Sequence, residues 1–252
     1  MMMHSYVVTG GARGIGRAIA LRLAREGQVV VVDVDGDALA WTHEHPQIAP
    51  VVGDASQEAA TIRAADTAEA TAPLAGWVNN AAVFRDAWLH EVPVTDVLES
   101  IAQNLALAVT GCVTAIRRFL VNESPGAIVN LSSHQALRPV PGAMPYATAK
   151  AAIEGLTRAL AVGYGPRGIR TNAVALGSIA TDRYDALRTE LKGLDEQMRS
   201  LHPLDRVGRS DEVAATVAHL LWAEASFVNG AIVPVDGGRA ALGHDPEARG
   251  SL

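Results

Sequence analysis

Three residues near the middle of the sequence have the types and spacing for proton transfer at an oxygen atom. Ser133 ends the apolar run AIVNLSS (127–133), and Tyr146 and Lys150 follow in YATAK (146–150). Residues four apart on a helix share one face, about 5–6 Å apart at Cβ, so an ammonium can act on a phenol there. A serine hydroxyl can orient the reacting oxygen while the phenol gives or takes its proton. The spacing predicts a Ser–Tyr–Lys active site for an alcohol or a ketone.

The same Tyr–Lys pair also fits an ordinary surface helix, and the flanking sequence separates the two interpretations. The helix continues with an apolar stripe that suits packing on the protein body, formed by Ile153, Leu156, Leu160 and Tyr164. A free phenol has a pKa of about 10, so a base near neutrality needs a pKa lower by roughly two to three units, or about 3–4 kcal/mol. We expect the Lys150 ammonium and a positively charged nicotinamide to favour the phenolate.

A glycine-rich loop follows the first predicted strand, at the position where a dinucleotide pyrophosphate would bind. The segment TGGARGIG (9–16) places Gly10, Gly14 and Gly16 between the strand YVVTG (6–10) and a helical pattern. Glycines allow a tight turn and a close backbone approach, and amides at the helix N-terminus face the phosphate. A plain loop is the alternative, because a lone match of this kind is weak.

The residue that ends the second predicted strand bears on the choice of cofactor. In VVVVDV (29–34), Asp33 lies near the position at which an acid binds the adenosine ribose hydroxyls. Its alternative role, turn formation, is already supplied by Asp35 and Asp37. A 2′-phosphate beside this carboxylate would cost roughly 1–4 kcal/mol at about 4 Å, whereas Arg13 in the loop favours a phosphate. We predict NAD as the cofactor, with NADP less favoured.

An alternation of strands and helices must position these residues. The strand-like runs are continuously apolar, which indicates burial on both faces, and helical segments separate most of them. In such parallel sheets, ligands bind beyond the carboxyl ends of the strands. The chemically informative residues lie at those ends: Gly10, Asp33, Asp54, Asn80, Ser133 and Gly177. The pattern predicts a doubly wound, Rossmann-like α/β fold of about seven parallel strands.

Composition narrows the class of protein. The 252 residues are 49% hydrophobic and contain no linker-like segment, so we predict one domain over residues 1–252. A net charge of −6 gives no basic footprint for nucleic acid or an anionic membrane. The start MMMHSYVVTGG lacks a signal-peptide pattern, and no apolar run is expected to span a bilayer. The single cysteine, Cys112, suits a reducing cytoplasm, and His43 and His45 do not share a helix face, so no metal site is expected.

Taken in order, these motifs resemble the short-chain dehydrogenase/reductase family over nearly the whole chain. Each motif alone is modest, but their order and spacing together are specific. The matching features are TGGARGIG, GDA (53–55), NNAA (79–82), Asn104, Ser133, YATAK, LGSIAT (176–181) and VDGG (235–238).

The resemblance implies a set of cofactor-binding residues. They are Gly10, Arg13, Gly14, Ile15, Gly16, Asp33, Asp54, Ala55, Asn80, Ala81, Ala82, Tyr146, Lys150, Gly177, Ile179 and Thr181. Within this set the family pattern implies that Asp54 and Ala55 contact the adenine, and that Ile179 and Thr181 hold the nicotinamide carboxamide. Two positions depart from the family: Leu176 replaces a usual proline and Ala82 a usual glycine. We expect these departures to alter local geometry rather than the reaction class.

The resemblance also assigns Asn104 a catalytic role, in which it holds a water that continues a proton relay through Lys150. The alternative is a buried helix asparagine that binds a backbone group. Ser133, Tyr146 and Lys150 complete the predicted catalytic set.

Substrate recognition is predicted from the segment after Thr181. Leu187, Leu191, Leu194, Met198 and Leu201 form one apolar helix face, and in the family this stretch folds over the substrate, so we predict a lid at about 182–207 and a tail at about 240–252. An amphipathic helix packed on the body is the alternative. The candidate pocket residues are Phe84, Trp88, His134, Gln135, Met144 and Tyr184.

The helix at about 95–121 has apolar residues on more than one side, which indicates contact with the sheet and with another subunit. The family resemblance likewise implies a tetramer built through this helix and the one near Tyr146. We predict a cytoplasmic homotetramer that acts on a small alcohol or ketone with NAD.

Three rival functions share parts of this pattern. A protein that senses NAD without catalysis has no need of Asn104, Ser133, Tyr146 and Lys150 together. A lyase or epimerase that recycles bound NAD usually carries a longer C-terminal region. A 3-oxoacyl-(acyl-carrier-protein) reductase would normally use NADPH, which Asp33 disfavours.

Overall fold

The structure is a computed structural model that describes residues 4–85 and 87–243. Its main feature is one parallel sheet. Its seven strands lie in the order β3-β2-β1-β4-β5-β6-β9. They are β1 (His4–Thr9), β2 (Gly27–Asp33), β3 (Ile48–Val52), β4 (Leu74–Asn79), β5 (Gly126–Ser133), β6 (Ile169–Leu176) and β9 (Ile232–Val235). Two short strands, β7 (Ile179–Ala180) and β8 (Gly208–Arg209), pair separately beyond β6. The predicted doubly wound α/β fold and its single-domain organisation are confirmed.

Helices cover both faces of the sheet. They are α1 (Gly14–Leu23), α2 (Glu58–Glu69), α3 (Val94–Val121), α4 (Met144–Tyr164), α5 (Asp182–Glu190), α6 (Leu194–Ser200) and α7 (Ser210–Leu221). Side chains that alternate along each strand enter different cores: in β1, Val8 packs with Ile19 of α1 and Val217 of α7, whereas Val7 packs with Phe119 of α3. Burial on both faces therefore explains why the strands lack polar alternation.

The order of the strands reverses beside β1, which pairs with β2 on one side and with β4 on the other. Loops that leave the carboxyl ends of these strands diverge there and leave a crevice. The glycine-rich loop after β1 and the NNAA segment at the end of β4 border this crevice.

The long helix α3 is the one helix of the described residues that is long and apolar enough to be compared with a membrane span. An 18-residue window within its 28 residues has a mean hydropathy of 1.4, so its length and composition would suffice to cross a membrane. However, half of that window is buried inside the domain, and the buried face includes the polar residues Ser100, Asn104 and Thr114. A core helix packed on β4 and α4 accounts for these properties.

The predicted lid helix is corrected, because the segment forms two short helices instead of one. Gly193 adopts a left-handed conformation with φ of +79°, which ends the helical path between α5 and α6. Leu191 is exposed, whereas Leu194 is buried. The leucine spacing resembles one continuous helix face, but the glycine between the two leucines interrupts it. Residues 244–252 of the predicted tail lie outside the described residues.

Candidate active site

Strand β5 and helix α4 bring the three residues of the predicted catalytic set to one edge of the sheet. Every residue of β5 is buried, and Ser133 ends the strand with its hydroxyl accepting a 3.2 Å hydrogen bond from the Gln135 amide. Helix α4 starts at Met144 with a proline in its first turn, where a missing N–H costs little. Tyr146 and Lys150 are both buried on this helix.

Lys150 is fixed to the neighbouring strand rather than to solvent. Its Nζ donates a 2.7 Å hydrogen bond to the Leu131 carbonyl oxygen and lies 5.4 Å from the centre of the Tyr146 ring. Burial lowers the pKa of Lys150 to about 8. The ammonium therefore carries a charge at neutral pH but loses it within an accessible range.

The pKa of Tyr146 is raised in the structure, whereas the sequence analysis expects it to be lowered. Burial raises the pKa of Tyr146 to about 12, while a side-chain hydrogen bond with Ser133 and the charge of Arg183 act in the opposite direction. Desolvation of the phenolate outweighs both effects. Among the protein groups alone, the phenol at neutral pH is a proton donor, the form that protonates a carbonyl oxygen.

Asn104 is engaged with the backbone of the loop after β4. Its Oδ1 accepts from the Val83 amide at 3.0 Å, and its Nδ2 donates to the Val83 carbonyl at 2.9 Å and to the Ser100 carbonyl at 3.2 Å. These contacts hold Val83, and with it the neighbouring Phe84, against α3. The geometry matches the backbone-binding alternative for this asparagine.

The glycine-rich loop is locked onto the end of β4. Asn80 donates through Nδ2 to the Thr9 carbonyl at 3.0 Å and to the Gly10 carbonyl at 2.8 Å. Gly10 has φ of +66°, and a Cβ there would lie 2.7 Å from the Ala81 Cα. A Cβ on Gly16 would collide with the Gly10 carbonyl oxygen. This close packing leaves the amides at the start of α1 free to face a pyrophosphate, so the loop fits a dinucleotide.

The carboxylate of Asp33 lies at the end of β2, beside this loop. It accepts hydrogen bonds from the amides of Ala12 at 3.0 Å and of Asp35 at 3.1 Å, and the side chain is only partly buried. The sequence analysis predicts that Arg13 favours a phosphate. In the structure, the Arg13 guanidinium pairs with the Asp35 carboxylate. The arginine charge is therefore already matched by an acid.

The remaining predicted cofactor residues lie along the same edge. Asp54 and Ala55 follow β3, with the Asp54 carboxylate accepting from the Ser56 amide at 2.8 Å. Gly177 follows β6, and Thr181 caps α5 through a 3.4 Å hydrogen bond from the Tyr184 amide. A Cβ at Gly14 would stand 3.5 Å from Thr181 Cγ2, so the first and last segments of the predicted groove meet. Leu176 is the last residue of β6 and pairs in register with Ser133. Unlike a proline at this position, leucine has a backbone N–H and can continue the strand.

The predicted pocket residues divide into four groups. Trp88, Gln135 and Met144 line a largely apolar cleft of about 580 Å³. Phe84 stacks on the Tyr146 ring with centroids 4.8 Å apart. The Tyr184 hydroxyl donates to the Asp195 carboxylate at 2.7 Å and so joins α5 to α6. The buried His134 has no hydrogen-bond partner at Nδ1 among the described residues, and its pKa is lowered to about 4, mainly by burial.

Two arginines near this site were not identified from the sequence. The Arg183 guanidinium lies over the Phe84 ring, 4.2 Å from its centre. Arg239 donates a 2.7 Å hydrogen bond to the Ser178 hydroxyl, in the loop that carries Gly177 and Ile179. Their only sequence signal is position: Arg183 is the second residue after LGSIAT, and Arg239 directly follows VDGG. Within residues 4–85 and 87–243, no group of three acidic, histidine or cysteine side chains could hold a metal ion.

Comparisons with known proteins show which chains this sequence is similar to. A family model described as enoyl-(acyl carrier protein) reductase matches residues 10–240. The 3-oxoacyl-(acyl-carrier-protein) reductase of Staphylococcus aureus is 37% identical over 247 residues, covering 94% of this chain and 98% of that protein. The levodione reductase of Leifsonia aquatica is 33% identical over 255 residues and covers 93% of each chain.

A solved structure extends the likeness to three dimensions. A protein of Agrobacterium tumefaciens, assigned as a 2-deoxy-D-gluconate 3-dehydrogenase and solved with bound NADP, superposes with a TM-score of 0.84 at 28% identity. The superposition covers 96% of this chain and 98% of that one. The sheet described above therefore belongs to an architecture shared along almost the full chain.

Proposed function

The chain belongs to the short-chain dehydrogenase/reductase family of oxidoreductases, and we propose that it transfers hydride between NAD(H) and a secondary alcohol or ketone. The observation that carries this proposal is the buried Ser133–Tyr146–Lys150 set at the end of β5, next to a glycine-rich loop that fits a dinucleotide. A protein that only sensed NAD would have no use for this set.

Each residue has a distinct role in the proposed reaction. A nicotinamide cofactor, when bound, supplies or accepts the hydride. Ser133 donates a hydrogen bond to the substrate oxygen and orients it. In reduction, the Tyr146 phenol gives its proton to the oxygen as the carbonyl carbon gains the hydride; in oxidation, Tyr146 takes the hydroxyl proton. Lys150, held by Leu131, keeps a positive charge beside the phenol, and Asn104 positions the Val83–Phe84 wall of the site.

Cofactor preference is proposed to favour NAD. In this proposal the Asp33 carboxylate accepts hydrogen bonds from the adenosine ribose, and charge-assisted bonds of this kind contribute about 1.5–3 kcal/mol each. A 2′-phosphate would meet that carboxylate and that of Asp35. The Arg13–Asp35 ion pair supports the same preference. Arg13 would have to break this ion pair before its guanidinium could bind a 2′-phosphate.

A second candidate function is the reduction of 3-oxoacyl thioesters with NADPH. It is favoured by the S. aureus relative, an acyl-carrier-protein reductase at 37% identity, and by the NADP held in the A. tumefaciens structure. The apolar cleft beside Gln135 and Met144 would suit an acyl chain. The two candidates share the catalytic set and differ in cofactor and substrate.

We further propose a homotetramer located in the cytoplasm, in which α5 and α6 cover the substrate. Leu98 on α3 and Val162 on α4 are exposed, and Gly155 and Gly163 of α4 have open space where a Cβ would stand. Such a face allows a second helix to approach closely. The buried Cys112 is consistent with a reducing compartment.

The experiment that tests the proposed function is a screen of secondary alcohols and ketones with NAD⁺/NADH and with NADP⁺/NADPH, followed by absorbance of the reduced cofactor. The screen includes 3-oxoacyl thioesters for the second candidate. Turnover of an alcohol or ketone that Tyr146→Phe abolishes supports the proposal. A chain that binds cofactor and turns over none of these classes would be a sensor.

A further inference from the structure

We propose that the substrate carries a carboxylate near the reacting carbon and that Arg183 and Arg239 bind it. The inference rests on the proposed function and specifies its substrate class as hydroxy acids and oxo acids. It assigns to these two arginines a role in substrate specificity.

Arg183 packs on the Phe84 ring, which in turn packs on the ring of Tyr146. Its guanidinium lies 4.2 Å from the centre of the Phe84 ring, and that ring lies 4.8 Å from the Tyr146 ring. Asn104 fixes the backbone next to Phe84 through its bonds to Val83. A planar guanidinium seated on an aromatic face keeps its N–H edges available for a carboxylate. The arginine is therefore held in position with its donors unused by the stack.

The charge of Arg183 has no acid partner within the described residues. No carboxylate oxygen of the described residues lies within 4.0 Å of its guanidinium, whereas Arg188 on the same helix lies 3.5 Å from Asp185 and 3.8 Å from Asp195. The positive charge also acts on the buried phenol, where it lowers the pKa of Tyr146. An anion bound at Arg183 would compensate the guanidinium charge and weaken its effect on the phenol, which is protonated at neutral pH in either case.

Arg239 supplies a second cation, from the segment that follows β9. It is half-buried and bonds to the Ser178 hydroxyl at 2.7 Å, and its charge contributes to the lowered pKa of His134, the residue after Ser133. The nearest acid, Asp236, uses its carboxylate to accept from the amides of Gly238 at 2.9 Å and Ala240 at 2.8 Å. The charge of Asp236 still acts on Arg239, whereas Arg183 has no carboxylate oxygen within 4.0 Å in the described part of the chain.

Arg183 is exposed and Arg239 is half-buried, so a ligand can reach both guanidinium groups. A neutral alcohol offers them no opposite charge, whereas a carboxylate accepts two parallel bonds from a guanidinium. This difference favours an anionic substrate and predicts that discrimination appears mainly in KM.

The test compares acids with their neutral primary amides. The matched pairs are 3-hydroxybutanoate with 3-hydroxybutanamide and D-gluconate with D-gluconamide, assayed with NAD⁺ in wild type, Arg183→Gln, Arg183→Lys, Arg239→Gln and the control Arg188→Gln. We expect the wild type to prefer an acid by about tenfold or more in kcat/KM, through KM. Each Gln variant should lose about tenfold of that preference, Arg183→Lys should recover part of it, and Arg188→Gln should retain it.

A second measurement does not depend on turnover. Calorimetry with NAD⁺ present compares 3-oxobutanoate with 3-oxobutanamide, because two oxidised partners cannot react. Tighter binding of the acid, lost in Arg183→Gln, supports the inference even without turnover, and in that case the proposed function fails separately. Equal handling of acid and amide by the wild type, or equal losses on both in the Gln variants, overturns the inference and leaves the oxidoreductase proposal in place.

Discussion

Lys150 on α4 donates its hydrogen bond to the carbonyl oxygen of Leu131 on β5, at 2.7 Å. The strand that ends in Ser133 therefore also holds the lysine, so the hydroxyl and the ammonium share one rigid support. A shift of α4 against the sheet would move Tyr146 and break the Lys150 bond at the same time. Such preorganisation on rigid elements favours a fixed geometry around one reacting oxygen.

Ketone reduction should lose activity as the pH rises past about 8. The pKa of Lys150 is lowered to about 8 by burial, so its charge is present below that pH and lost above it, while Tyr146, with a pKa of about 12, stays protonated. We expect kcat/KM for reduction to be flat from pH 6 to 7.5 and then to fall. The measurement is a pH profile with NADH, in which Lys150→Met should give a low and flat profile. A descending limb that persisted in Lys150→Met would assign it to another group.

Replacing Tyr146 by Phe removes the proton donor and leaves the stack on Phe84. Turnover should fall by about 10²–10⁴-fold, the range of general acid–base catalysis, while cofactor affinity changes little. Stopped-flow reduction and NADH titration measure the two quantities. Tyr164→Phe, at the other end of α4, is the control. Near-normal turnover of Tyr146→Phe would exclude the proposed mechanism.

The preference for NAD over NADP should be about tenfold or more in kcat/KM, since 1.4 kcal/mol is a factor of ten. Asp33→Ser removes the ribose acceptor and should weaken NAD and narrow the gap. Asp35→Asn should act differently, because it releases Arg13 and should improve NADP without damaging NAD. Steady-state kinetics with both cofactors check this. A wild type that favours NADP would raise the 3-oxoacyl-thioester candidate.

His134 should make the fold sensitive to acid. Its pKa is lowered from 6.5 to about 4, chiefly by burial and then by Arg239, so between these values the unfolded chain binds a proton that the folded chain does not. The free energy of unfolding therefore decreases as the pH falls from about 6.5 to 4. His134→Gln should flatten this decrease in Tm, with the exposed His43→Gln as a control. An unchanged slope in His134→Gln would refute the assignment.

A tetramer in solution should bury the exposed apolar residues of α3 and α4. Light scattering at micromolar concentration is expected to give four times the 26.4 kDa chain mass. Leu98→Glu or Val162→Glu should reduce that mass, because each introduces a charge into an apolar contact. The exposed Arg158→Glu, also on α4, tests whether any new acid has this effect. A monomeric wild type would remove the proposal.

Much of the fold could be predicted because its causes are local in the sequence. Continuous apolar strands with glycine-rich or polar ends identified the sheet, its buried faces and the edge that carries Asp33, Asn80 and Ser133. The four-residue spacing placed Tyr146 and Lys150 on one face of α4. These features depend on periodicity and on strand ends, which sequence patterns report directly.

Other features depend on tertiary contacts that no local pattern reports. The pairing of Arg13 with Asp35 joins two loops, and the Arg183–Phe84 stack joins residues about a hundred positions apart. The raised pKa of Tyr146 arises from burial, which spacing does not measure. The prediction of a single lid helix was wrong. It relied on the helical spacing of five leucine and methionine residues and gave too little weight to Gly193, which lies between them.

The last strand has a consequence for biosynthesis. Strand β9 is added beside β6, and the Gly177 amide that follows β6 bonds to Val235 at 3.0 Å. A nascent chain that still lacks residues 232–235 can form the other strands and the β7–β8 pair, but the Gly177 amide then lacks the Val235 carbonyl to which it bonds. We therefore expect the emerging polypeptide to acquire most of its tertiary fold before it acquires activity, with catalytic competence reached only after β9 has left the ribosome.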